Sequence, residues 1–156
     1  MKDRIINMSG QTLIEAVVAS AVVILLVTGL IAGTSASLKA SQNARQRSMA
    51  TQLTQESMEY VRNLRDQGWN NFYANYSNKD FCFGPYANPS LVEKTNPNQC
   101  DNNIDIQDGI IHYRYTRSID FNWDGAGFMD VMVNVKWSEG SNPRESKAQT
   151  RLSNWR

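Results

Sequence analysis

The stretch SGQTLIEAVVASAVV, residues 9–23, contains one charged side chain, Glu15, at the start of an otherwise apolar run. Residues 16–38 carry no charge, and the next charged residue is Lys39. A helix needs about 20 apolar residues to cross the core of a bilayer, so this run is long enough to span a membrane. A carboxylate beside such a segment is costly to bury, which points to a specific role for Glu15.

The rest of the chain has the composition of a soluble protein. Its 156 residues include 16 basic and 15 acidic side chains, and the formal net charge is +1. The mean hydropathy of −0.49 averages an apolar N-terminal segment with residues 66–109, which are rich in Asn, Asp, Gly and Pro. This length favours one domain with an appendage or one elongated domain. The balanced charge gives no indication of a nucleic-acid partner.

The charges ahead of the apolar run predict its orientation. Lys2 and Arg4 precede it, and positive charge before a first span keeps that end of the chain in the cytoplasm. We therefore expect a single-pass precursor in the inner membrane, with the remainder of the chain outside. A cleaved secretory signal peptide is the alternative, with its cleavage site among the small residues at positions 32–36. That alternative leaves Gly10 and Glu15 unexplained.

The segment from Gly10 to Glu15, followed by the apolar run, resembles the class III leader of type IV prepilins and type II secretion pseudopilins. The resemblance implies that a prepilin peptidase cuts after Gly10 and that residues 1–10 are the leader. It also implies that Gln11 is the mature N-terminus, which in this family is usually N-methylated, and that Glu15 is the signature acid. The family usually has Phe or Met at the first mature position, where this chain has Gln11.

The resemblance gives Glu15 a role in filament assembly. Cleavage creates an amine at Gln11, and packing of the helices into a filament places both that amine and the Glu15 carboxylate in an apolar core. Each charge alone is costly there, whereas a pair between neighbouring subunits offsets much of the cost and fixes the stagger of the helices. The expected partners are other pilin-like subunits, bound through the N-terminal helix. The alternative is a solvated carboxylate at the headgroup boundary.

The helix is predicted to continue beyond the apolar segment. Residues 11–38 form the membrane-spanning or filament-core half, and residues 39–67 form an amphipathic half without Pro or Gly. Gly68 is expected to end the helix, as glycine often does. The apolar residues of the amphipathic half recur at near-helical spacing, which indicates a stripe that packs on a globular head; they are Leu38, Met49, Leu53, Tyr60, Val61 and Leu64.

Residues 68–156 are predicted to form the head. Its first part, residues 68–109, has the composition of an irregular, loop-rich region. Cys82 and Cys100 enclose 17 residues, and two cysteines in an exported head are expected to form a disulfide. A metal site at this pair is not expected, because the chain has one His and neither cysteine belongs to a CxxC motif.

The second part of the head is predicted to be an antiparallel sheet. Apolar residues alternate over residues 111–121, 129–137 and 148–152, and residues 140–143 have the composition of a turn. One face of this sheet is expected to pack on the helix stripe, which predicts an α+β, pilin-like fold. The pattern is similar to minor pilins of the PilV type and to minor pseudopilins of type II secretion.

Two motifs in the head are candidates for chemistry. His112 lies in a predicted strand, without a nucleophile motif or a carboxylate pair to work with, so no enzymatic activity is expected. Asp120, Asn122 and Asp124 follow the D-x-N-x-D-G spacing of a calcium loop, although the twelfth position is Val131 rather than an acid. Calcium is therefore the one cofactor that the sequence suggests. The alternative is that these residues form a hairpin turn without a metal ion.

The C-terminal strand is basic, with Arg144, Lys147, Arg151 and Arg156. DNA binding is one interpretation, and a solvated outer face is the favoured one because Glu139 and Glu145 lie nearby. The predicted function is a pilin-like subunit, with a minor or priming role, of a type IV pilus or a type II secretion pseudopilus. It is expected at the cell surface or in the periplasm after assembly. Two rivals are a signal-anchored surface binding module and a secreted binding domain cleaved near Ala36.

Overall fold

The computed structural model of the chain describes residues 9–84, 90–96, 100, 104–108 and 111–154, with the backbone alone for residues 9–11, 107–108 and 111–112. It divides into an N-terminal unit, Met1–Gln42, and a head unit, Asn43–Arg156, which are described separately. The elements in chain order are α1 (Ser9–Gln67), α2 (Trp69–Tyr76), β1 (Lys79–Phe83), β2 (Leu91–Glu93), β3 (Ile104–Asp108), β4 (Ile111–Trp123), β5 (Phe128–Glu139) and β6 (Asn142–Ser153).

The C-terminal part of α1 belongs to the core of the head unit. Ala50, Leu53 and Val61 are fully buried there, and Met58 is nearly so. The hydroxyls of Thr54 and Ser57 are also buried, and each donates a hydrogen bond to the carbonyl four residues earlier in the helix. The amphipathic half of the helix therefore packs on the sheet as predicted, except that Leu38 is exposed and belongs to the N-terminal unit. The partly buried side chains beside this stripe include Met49, Tyr60 and Leu64.

Gly68 ends α1, as predicted. Its φ of 153° lies where side chains other than glycine are rarely accommodated, and its N–H donates to the carbonyl oxygen of Arg65 at 3.1 Å. The chain changes direction here and begins α2 at Trp69.

The sheet is antiparallel throughout the described residues, with strand order β2-β1-β4-β5-β6, and β3 pairs with β4. The strands β4, β5 and β6 form a meander, in which β5 and β6 pair along their full length. In β5, alternate residues from Met129 to Val135 are fully buried, because successive side chains of a strand point to opposite faces. The fold is α+β, with a long N-terminal helix packed against a small antiparallel sheet.

The prediction of an irregular region over residues 68–109 was wrong for much of its length. Helix α2 and strands β1, β2 and β3 lie within it. Aromatic contacts hold α2 and β1 against β4. The ring centroids of Phe72 in α2 and of Phe81 in β1 each lie 5.7 Å from that of Phe121 in β4. Tertiary packing thus overrides the loop preference of the many Asn and Asp residues.

Candidate functional site

The apolar part of α1 is exposed on every side. All residues from 12 to 42 are exposed within the described structure. An 18-residue window of this helix has a mean hydropathy of 2.6, so its length and composition allow it to cross a membrane. A helix that is apolar all round is typical of a membrane span or of the core of an assembly. These properties are consistent with a membrane-anchored, single-pass protein.

Within residues 12–38 of this exposed segment, Glu15 is the one charged side chain. The hydroxyls of Ser20, Thr28 and Thr34 donate to backbone carbonyls three or four residues earlier, at 2.8–3.1 Å. These three hydroxyl groups are thereby satisfied within the helix, which suits an apolar surrounding. Within the described residues 12–38, no cationic side chain is present to neutralise the carboxylate of Glu15. The backbones of Gly10 and Gln11 lie in the first turn of α1, whereas the side chain of Gln11 and residues 1–8 lie outside the described structure.

The disulfide between Cys82 and Cys100 is present, as predicted. Its Cα atoms are 5.2 Å apart, and it joins β1 to the segment that precedes β3. A crosslink that closes a loop of this size stabilises a fold by about 3 kcal/mol, chiefly by restricting the unfolded chain. It holds the part of the head unit that has the shortest strands.

Arg117 is a buried cation that the sequence analysis did not single out. It is fully buried in β4, and its guanidinium carbon lies 4.1 Å from the ring centroid of Phe83. Its Nη2 donates to the carbonyl oxygen of Gly84 at 2.8 Å, and its Nη1 lies 3.3 Å from the carboxylate of Glu56. Buried residues alternate along β4 from Tyr115 to Phe121, and this alternation places residue 117 on the buried face. The same alternation in the sequence is the feature that could have identified Arg117 as buried. Arg117 joins α1, β1 and β4 at one point.

Glu139 is a buried carboxylate at the end of β5. Arg47 of α1 donates to both of its oxygens, at 2.7 and 3.1 Å, and Arg144 of β6 donates to Oε2 at 3.0 Å. The two hydrogen bonds from Arg47, together with the one from Arg144, lower the pKa of Glu139 from its ordinary value of 4.5 to about 2. This carboxylate therefore fastens the β5–β6 hairpin to the helix.

The stability of the head unit is expected to depend on this carboxylate in acid. Because the pKa of Glu139 is lower in the folded chain than in the unfolded chain, its contribution is complete above pH 4.5 and disappears as the pH falls to about 2. Glu139→Gln should flatten the decline in melting temperature over that interval and lower the melting temperature at neutral pH. Glu59→Gln, at an exposed pair with Arg62, is the control. Equal acid profiles for wild type and Glu139→Gln would contradict this assignment.

The three residues of the calcium motif have separate environments. The Asp120 carboxylate forms an ion pair with Lys94 at 3.1 Å. Oδ1 of Asp124 accepts the N–H groups of Ala126 and Phe128, at 2.8 and 3.0 Å, and so closes the turn between β4 and β5. Asn122 is exposed. Within the described residues, no group of three His, Cys, Asp or Glu side chains is placed to hold a metal ion. These two hydrogen bonds give Asp124 a role in the turn that needs no metal ion. The calcium site stays a prediction.

The basic residues of β6 are ion-paired. Arg144 binds Glu139 and Lys147 binds Glu145. Arg151 binds Asp130 through two bonds, and this guanidinium holds the pKa of the Asp130 carboxyl below its usual range. This pairing agrees with a solvated outer face.

Two further predicted residues lie partly or wholly beyond the described atoms. The backbone of His112 belongs to β4, while its side chain is outside the described structure, as is all of Arg156. Comparison with family models, with curated proteins and with solved structures gives no match to this chain.

Proposed function

We propose that this protein is a pilin-like subunit, with a minor or priming role, of a type IV pilus or a type II secretion pseudopilus. In this proposal a prepilin peptidase removes residues 1–10 at the inner membrane. The exposed apolar part of α1 then leaves the bilayer and packs against the same segment of neighbouring pilin-like subunits. The head unit remains outside the membrane throughout.

The observation that carries the proposal is the single carboxylate in an exposed apolar helix. Glu15 follows Gly10 by five residues, and residues 16–38 add no second charge. In a simple membrane anchor, a carboxylate at this position adds to the cost of insertion or lies solvated at the headgroup boundary. An assembly in which each carboxylate meets the amine of a neighbouring chain uses it directly.

The head unit supports the same proposal. The amphipathic half of α1 contributes Ala50, Leu53 and Val61 to the core, so one helix carries the apolar segment and also helps to form the head. This arrangement of a long helix on an antiparallel sheet is the one that the resemblance implies.

Intact mass of the purified protein tests the proposal. Processing by the prepilin peptidase predicts a chain that begins at Gln11, with a further mass increase if that residue is methylated. A surface module anchored by an uncleaved signal predicts a chain that begins at Met1. A secreted binding domain predicts a chain that begins after the small residues at positions 32–36. Either of the last two results contradicts the proposal.

Gly10→Val is expected to leave the precursor uncut. The peptidase site accepts a small residue at this position by the family resemblance, and a β-branched side chain is both larger and stiffer than glycine. The measurement is the ratio of precursor to mature protein on an immunoblot of membranes. Gly29→Val, which lies within the apolar segment with nothing within 4 Å of an added Cβ, is the control and should be processed normally. Normal processing of Gly10→Val would argue against the peptidase site.

A further inference from the structure

A cleft of about 520 Å³ opens in the head unit where β4 and β5 part. It is lined by Gln46 of α1, residues 113–116 of β4, residues 136–138 of β5 and Pro143 of β6. Tyr115 and Trp137 belong to the buried, helix-facing side of the sheet, whereas exposed side chains of the opposite side also line the cleft. A cleft lined from both faces of a sheet passes between strands rather than over them.

Strand pairing explains where the cleft lies. Pairing of β4 with β5 runs from Trp123↔Met129 to Thr116↔Lys136, and within the described residues it goes no further. Residues 137–139 of β5 continue to pair with β6 on the other side. Among the described residues, the end of β5 therefore has a paired strand on one edge alone, and its other edge lies beside the cleft. Such an edge is a template for a further strand.

Two residues that line the cleft each have a buried side-chain polar atom without a hydrogen-bond partner among the described residues. Nε1 of Trp137 is a donor, and this residue is 9% exposed. Oε1 of Gln46 is an acceptor, while the backbone oxygen of the same residue accepts the hydroxyl of Tyr115 at 3.2 Å. A buried polar atom that lacks a partner is costly, and in native proteins most such atoms are bonded to other protein groups or to ordered water. A peptide group offers both complements, since its C=O accepts and its N–H donates.

The charge of the cleft restricts its occupant further. Arg114 and Lys136 are exposed at its rim, and the described lining contains no carboxylate. Asp105 and Glu145 lie opposite these two cations in the neighbouring strands without lining the cleft. An acidic side chain next to the bound backbone would therefore find two cations, and no carboxylate among the described residues that line the cleft.

We propose that the cleft between β4 and β5 binds an extended peptide segment of a partner protein, which carries an acidic side chain and adds a short strand beside the end of β5. The side chains of Trp137 and Gln46 turn toward the peptide as it binds, so that its carbonyl accepts the Trp137 N–H and one of its N–H groups donates to Gln46. The acidic side chain lies at the rim near Lys136. This site is independent of the assembly proposed for α1, because every residue that lines it belongs to the head unit.

A phage-displayed library of random short peptides, selected on the full-length protein in detergent, tests the proposal. The expected result is enrichment of peptides that combine β-branched residues with Asp or Glu. Trp137→Phe keeps an aromatic ring and removes the donor, so it should weaken binding of a selected peptide about tenfold. Methylation of the backbone nitrogens of that peptide should abolish binding, because it removes the strand hydrogen bonds.

Lys136→Glu provides a second variant, at a position that is exposed. It should weaken an acidic peptide about fivefold or more. Lys147→Glu is the matched control, since it makes the same change in net charge on the neighbouring strand outside the cleft. The proposal is overturned by the absence of enrichment, by selected peptides that ignore both cleft variants, or by binding of oligosaccharides in place of peptides on a glycan array.

Discussion

Replacing Arg117 with alanine is expected to lower the free energy of unfolding of the head unit by about 3–5 kcal/mol. Arg117 is fully buried, and its loss leaves the carbonyl of Gly84 and the carboxylate of Glu56 without this cation. The substitution also opens a cavity beside the ring of Phe83, over which the guanidinium lies. Loss of a buried charge that has several partners belongs to the most damaging class of single substitutions.

Urea unfolding of the full-length protein in detergent measures this effect. All four tryptophans follow residue 68, so their fluorescence reports on the head unit even with the apolar helix present. Arg117→Lys keeps the charge but loses the planar fork, and it should recover only part of the stability. Arg114→Ala, on the exposed side of the same strand, should change the free energy of unfolding by less than about 0.5 kcal/mol. An Arg117→Ala variant as stable as Arg114→Ala would show that the buried cation contributes little.

Glu15→Ala is expected to abolish incorporation into filaments while leaving membrane insertion and leader cleavage intact. Alanine is apolar and a strong helix former, so the span itself is preserved. In the proposed assembly, the amine of Gln11 then enters an apolar core without its partner, and an unpaired buried charge costs about 3–5 kcal/mol. The measurement is the amount of mature protein in the sheared filament fraction relative to the membrane fraction.

Two further variants make this test specific. Glu15→Gln keeps the size and hydrogen-bonding capacity of the side chain but removes its charge, and it should also fail to assemble. Ser20→Ala is the control, because the Ser20 hydroxyl bonds to the carbonyl of Val17 within its own helix and should not be needed by a neighbour. If Glu15→Ala is processed and still assembles at the wild-type level, the carboxylate does not set the stagger of the helices. The anchored surface module then becomes the better account.

The N-terminal residue adds one condition to this prediction. An N-terminal Gln can cyclise, which removes the positive charge of the amine. If mass spectrometry of assembled filaments finds Gln11 cyclised, a neutral hydrogen bond must replace the ion pair in the account of Glu15.

The elements with a regular apolar period were predictable from sequence. The 3.6-residue spacing of the stripe in α1 and the alternation over Met129–Val135 of β5 follow directly from the geometry of a helix and of a strand. Gly68 marked the end of α1 because few other residues adopt its backbone conformation. In each case, the pattern that predicts the structure lies within one short stretch of the sequence.

The features that sequence reasoning missed depend on contacts between distant parts of the chain. Arg117 is tolerated inside because Ser57 and Gly84, 60 and 33 residues away, supply its partners. The cleft depends on the point at which β4 leaves β5, and no local pattern marks that point. The short strands β1 and β2 pair across positions whose composition favours loops.

The edge of the sheet formed by β6 affects whether the sheets of closely packed molecules join. Strand β6 is 12 residues long and lies at the end of the strand order, so within the described residues no strand pairs with its outer edge. Open edges of this length lead to sheet fusion and aggregation unless charges or proline interrupt them. Pro143 and the ion-paired Arg144, Lys147 and Arg151 lie along this strand. Copies held side by side at high local concentration are therefore discouraged from joining their sheets, and the pairs that brace the hairpin also help to keep neighbouring molecules soluble.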